Sequence, residues 1–556
     1  MEEQKRLFIA IILSIVVIFG WNIFFVDKEA PPKTSPEQAV TAESGTQTAD
    51  QGKAVESVPA PIPMTASTVA PPMEPAPGST GRTIVVDSPL YTMEISEFSG
   101  TVTSFKLKKY RETVEQDSPL KQMVSPKLSK GMFALDLEDK TVPGLENAVF
   151  RCPSEQDHID VTQGARDLTF AWQSPQGLVV EKVFTMTPDS YLVGFNVTIK
   201  NGTPVPIKDT LSISIPGVVT EASGYNHEGP VLFSNDSLEE INVKKLADKS
   251  TFPGIMEWAG HTDRYFLTVI IPEKPVDATV KVSYEAPMAT SRFVQSMDRI
   301  DPGRQITYPF WYFMGPKSLK IMGSLGHNLK KSENFGWFDV LARPCLIAMN
   351  FIYDLIPNYG VAIMLLTLAI KLLFWPLGTK SYKSMSDMKR IQPLMMQIRE
   401  KYKGDKTKMN AEVMNLYKTY KVNPMSGCLP MLVQMPIFFA LYRMLYQAIE
   451  LRHAPFLGWI NDLSAPDRLF NFDIAIPLMQ APYGIPVLTI IMGATMFLQQ
   501  KMSPSTGDPT QAKMMMLMPI FMTFIFINFP SGLVLYWLVN NVLSIGQQYY
   551  IQKKFA

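Results

Sequence analysis

The chain has little of what covalent or redox chemistry requires. Its three cysteines, Cys152, Cys345 and Cys428, stand far apart with no CxxC pair, so neither a disulfide framework nor a zinc site is suggested. Five scattered histidines and the lack of a GxxxxGK[ST] loop argue against metal-assisted hydrolysis and against an intrinsic ATPase. A formal net charge of +1 predicts no bulk attraction to nucleic acid, and no direct readout of its sequence is expected. The apolar runs read below as membrane spans hold no Asp or Glu, so the carboxylates of a proton relay are missing, and no paired halves mark an inverted-repeat transporter. The expected chemistry is non-covalent: no enzyme, no cofactor and no metal.

What the chain has is segregation. At 556 residues it is too long for one core. Leu7–Val26 is a twenty-residue apolar run after Lys5 and Arg6, followed by a poor cleavage site, so residues 1–27 read as an uncleaved anchor with a cytoplasmic N-terminus. Residues 28–82, with their PAPIP and PPMEPAP runs, bury too little apolar surface to fold and read as a disordered tether. Over 83–325 short alternating segments and turn signals predict one large β-sandwich. Leu168–Trp172 and Leu178–Met186 form a hairpin about Ser174-Pro175-Gln176-Gly177; Tyr191–Lys200, Ala278–Tyr284 and Ile306–Met314 are further strands. Its histidines, His158, His227 and His261, form no recognisable catalytic arrangement, which favours a scaffold or docking role.

Residues 335–356 are apolar on one side and interrupted by Asp339, Arg343, Asn350 and Asp354, as suits an amphipathic interfacial helix that Pro344 kinks or divides. Tyr359–Leu377 is long enough to span the ~30 Å hydrocarbon core. Its one charge, Lys371, either serves a function or snorkels to the nearer interface. Four more apolar runs follow: Cys428–Ile449, Gly484–Leu498, Met514–Phe529 and Ser531–Ile545. The last two are separated by Pro530 and are expected to form a tight helical hairpin, and several are short enough to favour bilayer thinning. Arg443 is expected to reach toward Glu450 and Arg452 at the outer surface.

The loops orient the whole. Gly378–Gly427 holds eleven Lys/Arg against four acids, whereas Glu450–Tyr483 holds two Arg against four. The positive-inside rule places the first loop in the cytoplasm and the second outside. The fold class is therefore an integral membrane α-helical protein of six spans, an anchor plus a five-span core over 357–556. Both termini are cytoplasmic and a large all-β domain lies outside. Within the core, 380–422 reads as a helical hairpin. Met385, Met388, Ile391, Met395, Ile398 and Tyr402 form one apolar stripe; Gly404-Asp405 breaks it; Thr407 caps a second helix striped by Met409, Val413, Leu416 and Tyr420. The stripes either pack on each other or offer a docking surface that includes Met388, Lys389, Arg390, Met395 and Arg399.

Val422-Asn423-Pro424-Met425-Ser426-Gly427-Cys428-Leu429-Pro430 continues to Gln434-Met435-Pro436-Ile437-Phe438. With Glu450-Leu451-Arg452, Gln500-Lys501-Met502-Ser503-Pro504 and Phe529-Pro530-Ser531-Gly532-Leu533, it resembles the YidC/Oxa/Alb family of membrane protein insertases, in the form found in Gram-negative bacteria. The resemblance implies a β-supersandwich in the periplasm and a multi-pass protein of the inner membrane. It implies an insertase and chaperone working alone or with the Sec translocon. It also implies an amphiphilic groove closed to the outside, whose single cation, usually Arg, falls at Lys371. By match of position Thr367, Gln434 and Trp537 line that groove, the alternative for Trp537 being an interfacial or packing aromatic. Met435, Pro430 and Phe521 fall on the third and fifth spans, along which apolar segments slide into lipid. Implied partners are nascent membrane proteins, the Sec translocon, the phospholipid bilayer, and ribosome or targeting factors at the cytoplasmic loops. Two other classes compete: a transporter or channel, which lacks its intramembrane acids, and a sugar-processing enzyme of mutarotase-like fold, which needs a His–Glu pair in a β-domain cleft.

Overall fold

Strand alternation builds the N-terminal domain. In Leu178–Met186 every second residue is buried, so one face of the strand enters the core. It pairs antiparallel with Arg166–Gln173, Trp172 opposite Val180, as the turn at Ser174–Gly177 predicts, and Ser174 Oγ accepts from the Leu178 amide at 3.0 Å. The computed structural model describes residues 81–128, 130–220, 227–422, 429–502 and 509–555. The expected anchor, the tether as far as residue 80, and motif positions 423–428 and 503–508 lie outside the described residues.

Two sheets make the domain. The smaller runs Leu120–Gln122, Thr101–Arg111, Tyr91–Ser96, Thr83–Asp87, with His158–Asp160 added in parallel. The larger runs from Ala134–Leu137 through Thr210–Val218, Met288–Ser296, Val276–Glu285, Thr251–Thr262, Phe266–Pro272, Gln305–Pro316 and Leu192–Asn201 to the hairpin above. Aromatic side chains fill the space between them: Tyr312 stacks on Phe133 and donates to Met93 Sδ across the sheets at 3.0 Å. A lysine enters this core. Lys182, fully buried, donates to the carbonyls of Ser99 (2.7 Å) and Gly100 (3.2 Å), with its ammonium 4.6 Å from the centre of the Phe150 ring. Burial lowers its pKa to about 7.

Helices follow. α1 (Leu319–Leu325) leads through two single turns to α2 (Asp339–Leu355). α2 buries Ala342, Leu346 and Met349 and exposes Val340, Leu341, Ile347, Phe351 and Leu355, the amphipathic pattern expected. Pro344 lies inside it without dividing it. The single hydrogen bond that proline removes is the one to the Val340 carbonyl, beside a side chain that faces outward. α3 (Tyr359–Leu373) is capped by Asn358, whose side chain accepts from the Val361 amide.

The expected nineteen-residue run is not one straight helix. It breaks at Phe374, and α4 (Trp375–Lys401) departs at 66°. Pro376 has no N–H to donate to the preceding turn, so α3 cannot run on through it, and the chain restarts as a new helix with Pro376 in its first turn. α5 (Lys406–Thr419) returns along α4, with Tyr417 donating to Met395 Sδ at 3.3 Å. Asp405, not Thr407, caps α5, accepting from the Lys408 amide at 3.0 Å. Then come α6 (Leu429–Gln447), α7 (Val487–Met502), α8 (Pro509–Phe526) and α9 (Ser531–Phe555). α8 and α9 meet at the corner before Ser531. α8 packs along α7, while α9 runs along α7, α3 and α4. No single described helix is both long and apolar enough to cross a membrane; the bent α3–α4 pair meets that test only together.

Candidate functional site

Lys371 lies in the last turn of α3, where the helix dipole favours a cation. Its Nζ donates to Ser544 Oγ at 2.6 Å and to Asn540 Oδ1 at 3.5 Å, both on α9. Gln434, from α6, donates through Nε2 to the same Asn540 oxygen at 2.9 Å. Ser544 in turn donates to the Asn540 carbonyl. Tyr382 of α4 shares hydrogen bonds with Ser544 and with Gln499 of α7. Five helices thus converge on one half-buried ammonium. An ammonium has three protons to donate; its two acceptors are neutral, and no acid among the described residues pairs with it. The geometry is that of a solvated or ligand-receiving cation rather than a structural ion pair.

The other expected groove residues divide. Gln434 joins Lys371 through Asn540. Thr367 is buried and spends its hydroxyl on the Ile363 carbonyl of its own helix, 2.6 Å away. Trp537 sits edge-on to Phe438 (4.6 Å) and against Phe526 (4.9 Å). With Tyr442 and Phe529 these rings form an aromatic cluster one turn from Asn540, toward the start of α9. Sequence reading missed Ser544 and gave Asn540 no role. The available signal was their four-residue spacing, which places both on one face of α9.

On the outer faces Met435 and Phe521 are exposed, along with Leu517, Ile520 and Phe524 of α8. Pro430 lies in the first turn of α6, and its side chain is outside the described residues. In the α4–α5 hairpin Lys389 and Arg390 are exposed, Met388 and Arg399 half-buried, and Met395 buried under Tyr417. Arg443 reaches Gly336, in the turn before α2, where an added Cβ would lie 3.2 Å from its Nη2. Among the described residues no group of three His, Cys, Asp or Glu side chains is placed to hold a metal ion.

A family model described as the 60Kd inner membrane protein matches residues 351–556, and one described as the YidC periplasmic domain matches 83–348. The chain belongs to the YidC family of membrane protein insertases. The YidC insertase of Syntrophobacter fumaroxidans is 41% identical over 99% of this chain and all of that one, and that of Syntrophus aciditrophicus is 38% identical over 99% and 100%. A crystal structure described as an active YidC insertase with its first transmembrane domain resolved covers 85% of this chain and 93% of that one, at 19% identity and a TM-score of 0.37. YidC membership makes the sandwich a periplasmic domain and the helices the core of an inner-membrane protein. The function these YidC relatives are named for is not enzymatic, which removes the sugar-processing reading. His261 is buried beside Ser291.

Proposed function

We propose that the chain inserts nascent membrane proteins by holding their polar translocated segments at Lys371 while their apolar segments pass into lipid, and that it chaperones their folding alone or beside the Sec translocon. The supporting observation is the uncompensated ammonium among neutral acceptors. A carboxylate arriving there meets a cation with a proton to spare in a medium of low dielectric, where attraction exceeds that in water. The aromatic cluster around Trp537 closes the outer side, and the exposed apolar faces holding Met435 and Phe521 offer the slide. Transfer of apolar side chains to lipid, about 25 cal/mol per Å², supplies the drive without a nucleotide.

In this reading the helices cross the bilayer as a five-span core with both termini inside, and the N-terminal anchor supplies a sixth span. α3 alone covers about 22 Å at 1.5 Å per residue, less than the ~30 Å core, so the bilayer thins around it. The basic α4–α5 hairpin faces the cytoplasm and receives ribosome or targeting factors through Met388, Lys389, Arg390 and Arg399.

Depletion complementation in a bacterium that depends on a YidC insertase tests this, scoring insertion of a single-span client with an acidic translocated tail by protease accessibility. Lys371→Arg is expected to support insertion, while Lys371→Ala and Lys371→Glu fail at normal protein levels. Asn540→Leu is expected to reduce insertion severalfold, because it strips an acceptor from both Lys371 and Gln434. Full insertion by Lys371→Ala refutes the charge role.

A further inference from the structure

Where the β domain meets α2, a cleft of about 490 Å³ carries both signs of charge. Its volume is that of a small-ligand site. One wall is the turn at Asp236, in the hairpin Gly229–Ser234 and Ser237–Glu240; another is the linker with Lys330, Lys331 and Glu333; the third is the first turns of α2, with Asp339 and Arg343. Lys330 and Lys331 are exposed and make no ion pair among the described residues. Arg343 is held by Asp339 (2.9 and 3.0 Å) and by the Glu333 carbonyl (3.0 Å), so it orders the wall rather than offering itself.

Glu333 is the unexplained group. It is 3% exposed, and neither carboxyl oxygen has a hydrogen-bond partner. A buried carboxyl left without a hydrogen-bond partner is destabilising, and more so if ionised. Burial, with Glu450 nearby, pushes its pKa up, while the Lys317 and Arg343 cations pull the other way. A ligand ammonium would satisfy it.

The cleft also has a defined setting. Trp337, 95% exposed, stands between its linker wall and α2, and Val340, Ile347, Phe351 and Leu355 continue the exposed apolar face. Such a face lies at the depth of lipid headgroups. We propose that this cleft binds the headgroup of a zwitterionic phospholipid bearing a primary ammonium, the phosphate on Lys330 and Lys331 and the ammonium on Glu333. This rests on α2 lying in the membrane interface, as its amphipathic pattern suggests; the role of Lys371 is independent of it.

The test is native mass spectrometry of the full chain in detergent, titrated with dioleoylphosphatidylethanolamine, the phosphatidylglycerol analogue, or soluble phosphoethanolamine. Wild type is expected to retain phosphatidylethanolamine at least tenfold more tightly than phosphatidylglycerol, and to lose it when Lys330 and Lys331 are both replaced by Ala. Glu333→Gln should abolish the preference between the two lipids while leaving total lipid bound. Lys330→Arg with Lys331→Arg should restore binding. Equal retention of both lipids by wild type, or unchanged retention by the Lys330/Lys331 variant, overturns the proposal. So does equal occupancy by phosphoethanolamine alone, which would make the ligand a soluble metabolite rather than a lipid. Because the two lysines are exposed, their variant tests the site even if Glu333→Gln fails to fold.

Discussion

A single side chain can be held in two opposite ways in this molecule. Lys371 is kept half-buried among neutral acceptors, and its value lies in what it has left to give. His261 is kept inside the sandwich with nothing to give: Ser291 Oγ stands 3.3 Å from its Nε2, and Gly217 leaves so little room that an added Cβ would come within 2.5 Å of Nδ1. Burial lowers the His261 pKa to about 3, against 6.5 for the free group. Between those values the unfolded chain binds the extra proton. The stabilising contribution is therefore whole above about pH 6.5 and is lost as pH falls toward 3, by on the order of a few kcal/mol. Thermal unfolding of the full chain followed by a β-domain tryptophan signal should show Tm falling across that window. His261→Gln, which lowers Tm at neutral pH, should flatten the fall; an unchanged acid limb would show that other groups govern it.

At the scale of elements, caps and breaks decide where helices stop. Thr407 and Asp405 both suit an N-cap by residue type, and composition does not choose between them. Asp405 wins because its backbone is extended and its carboxylate meets the Lys408 amide, so the helix starts at Lys406. Asp405→Ala should weaken the first turn of α5 by about 1 kcal/mol, read as roughly fivefold faster hydrogen exchange at Lys408. The Thr407→Ala variant should leave that rate near wild type. The same competition explains Phe374. Hydropathy runs unbroken through Leu377, yet Pro376, which cannot donate to the preceding turn, ends α3 after fifteen residues. The strands were more legible, because alternate burial, turn residues and register all point the same way, as in the hairpin around Ser174–Gly177.

Across the whole molecule, arginines tie the periplasmic domain to the core. Arg264 Nε donates to the Tyr446 carbonyl at the end of α6 (2.7 Å) and stacks on the Tyr446 ring. Arg452 reaches back to the carbonyls of Arg111 (2.6 Å) and Glu112 (3.0 Å) in the small sheet. Ser318 donates to the buried Glu450 at 3.2 Å. Hydrogen bonds from a charged donor contribute roughly 1.5–3 kcal/mol each. Replacing both Arg264 and Arg452 with Ala should split one thermal transition of the full chain into two and speed protease cleavage in the linker before α2. A single transition with an unchanged cleavage rate would mean the domains are joined by other contacts.

The sequence by itself determined the division into an alternating β half and an apolar helical half, the amphipathic α2, the basic hairpin and the position of Lys371 as the one charge of its apolar run. Each of these is a local property, set by periodicity, turn chemistry and charge over a few residues. Only the tertiary structure decided what Lys371 touches, that Thr367 turns to its own backbone, that α3 bends away at Phe374, and that two arginines pin the sandwich to α6. Those depend on which residues, far apart in the chain, arrive at the same place. Ser544 lies 173 positions from Lys371, and nothing short of the packed helices brings a hydroxyl to that ammonium.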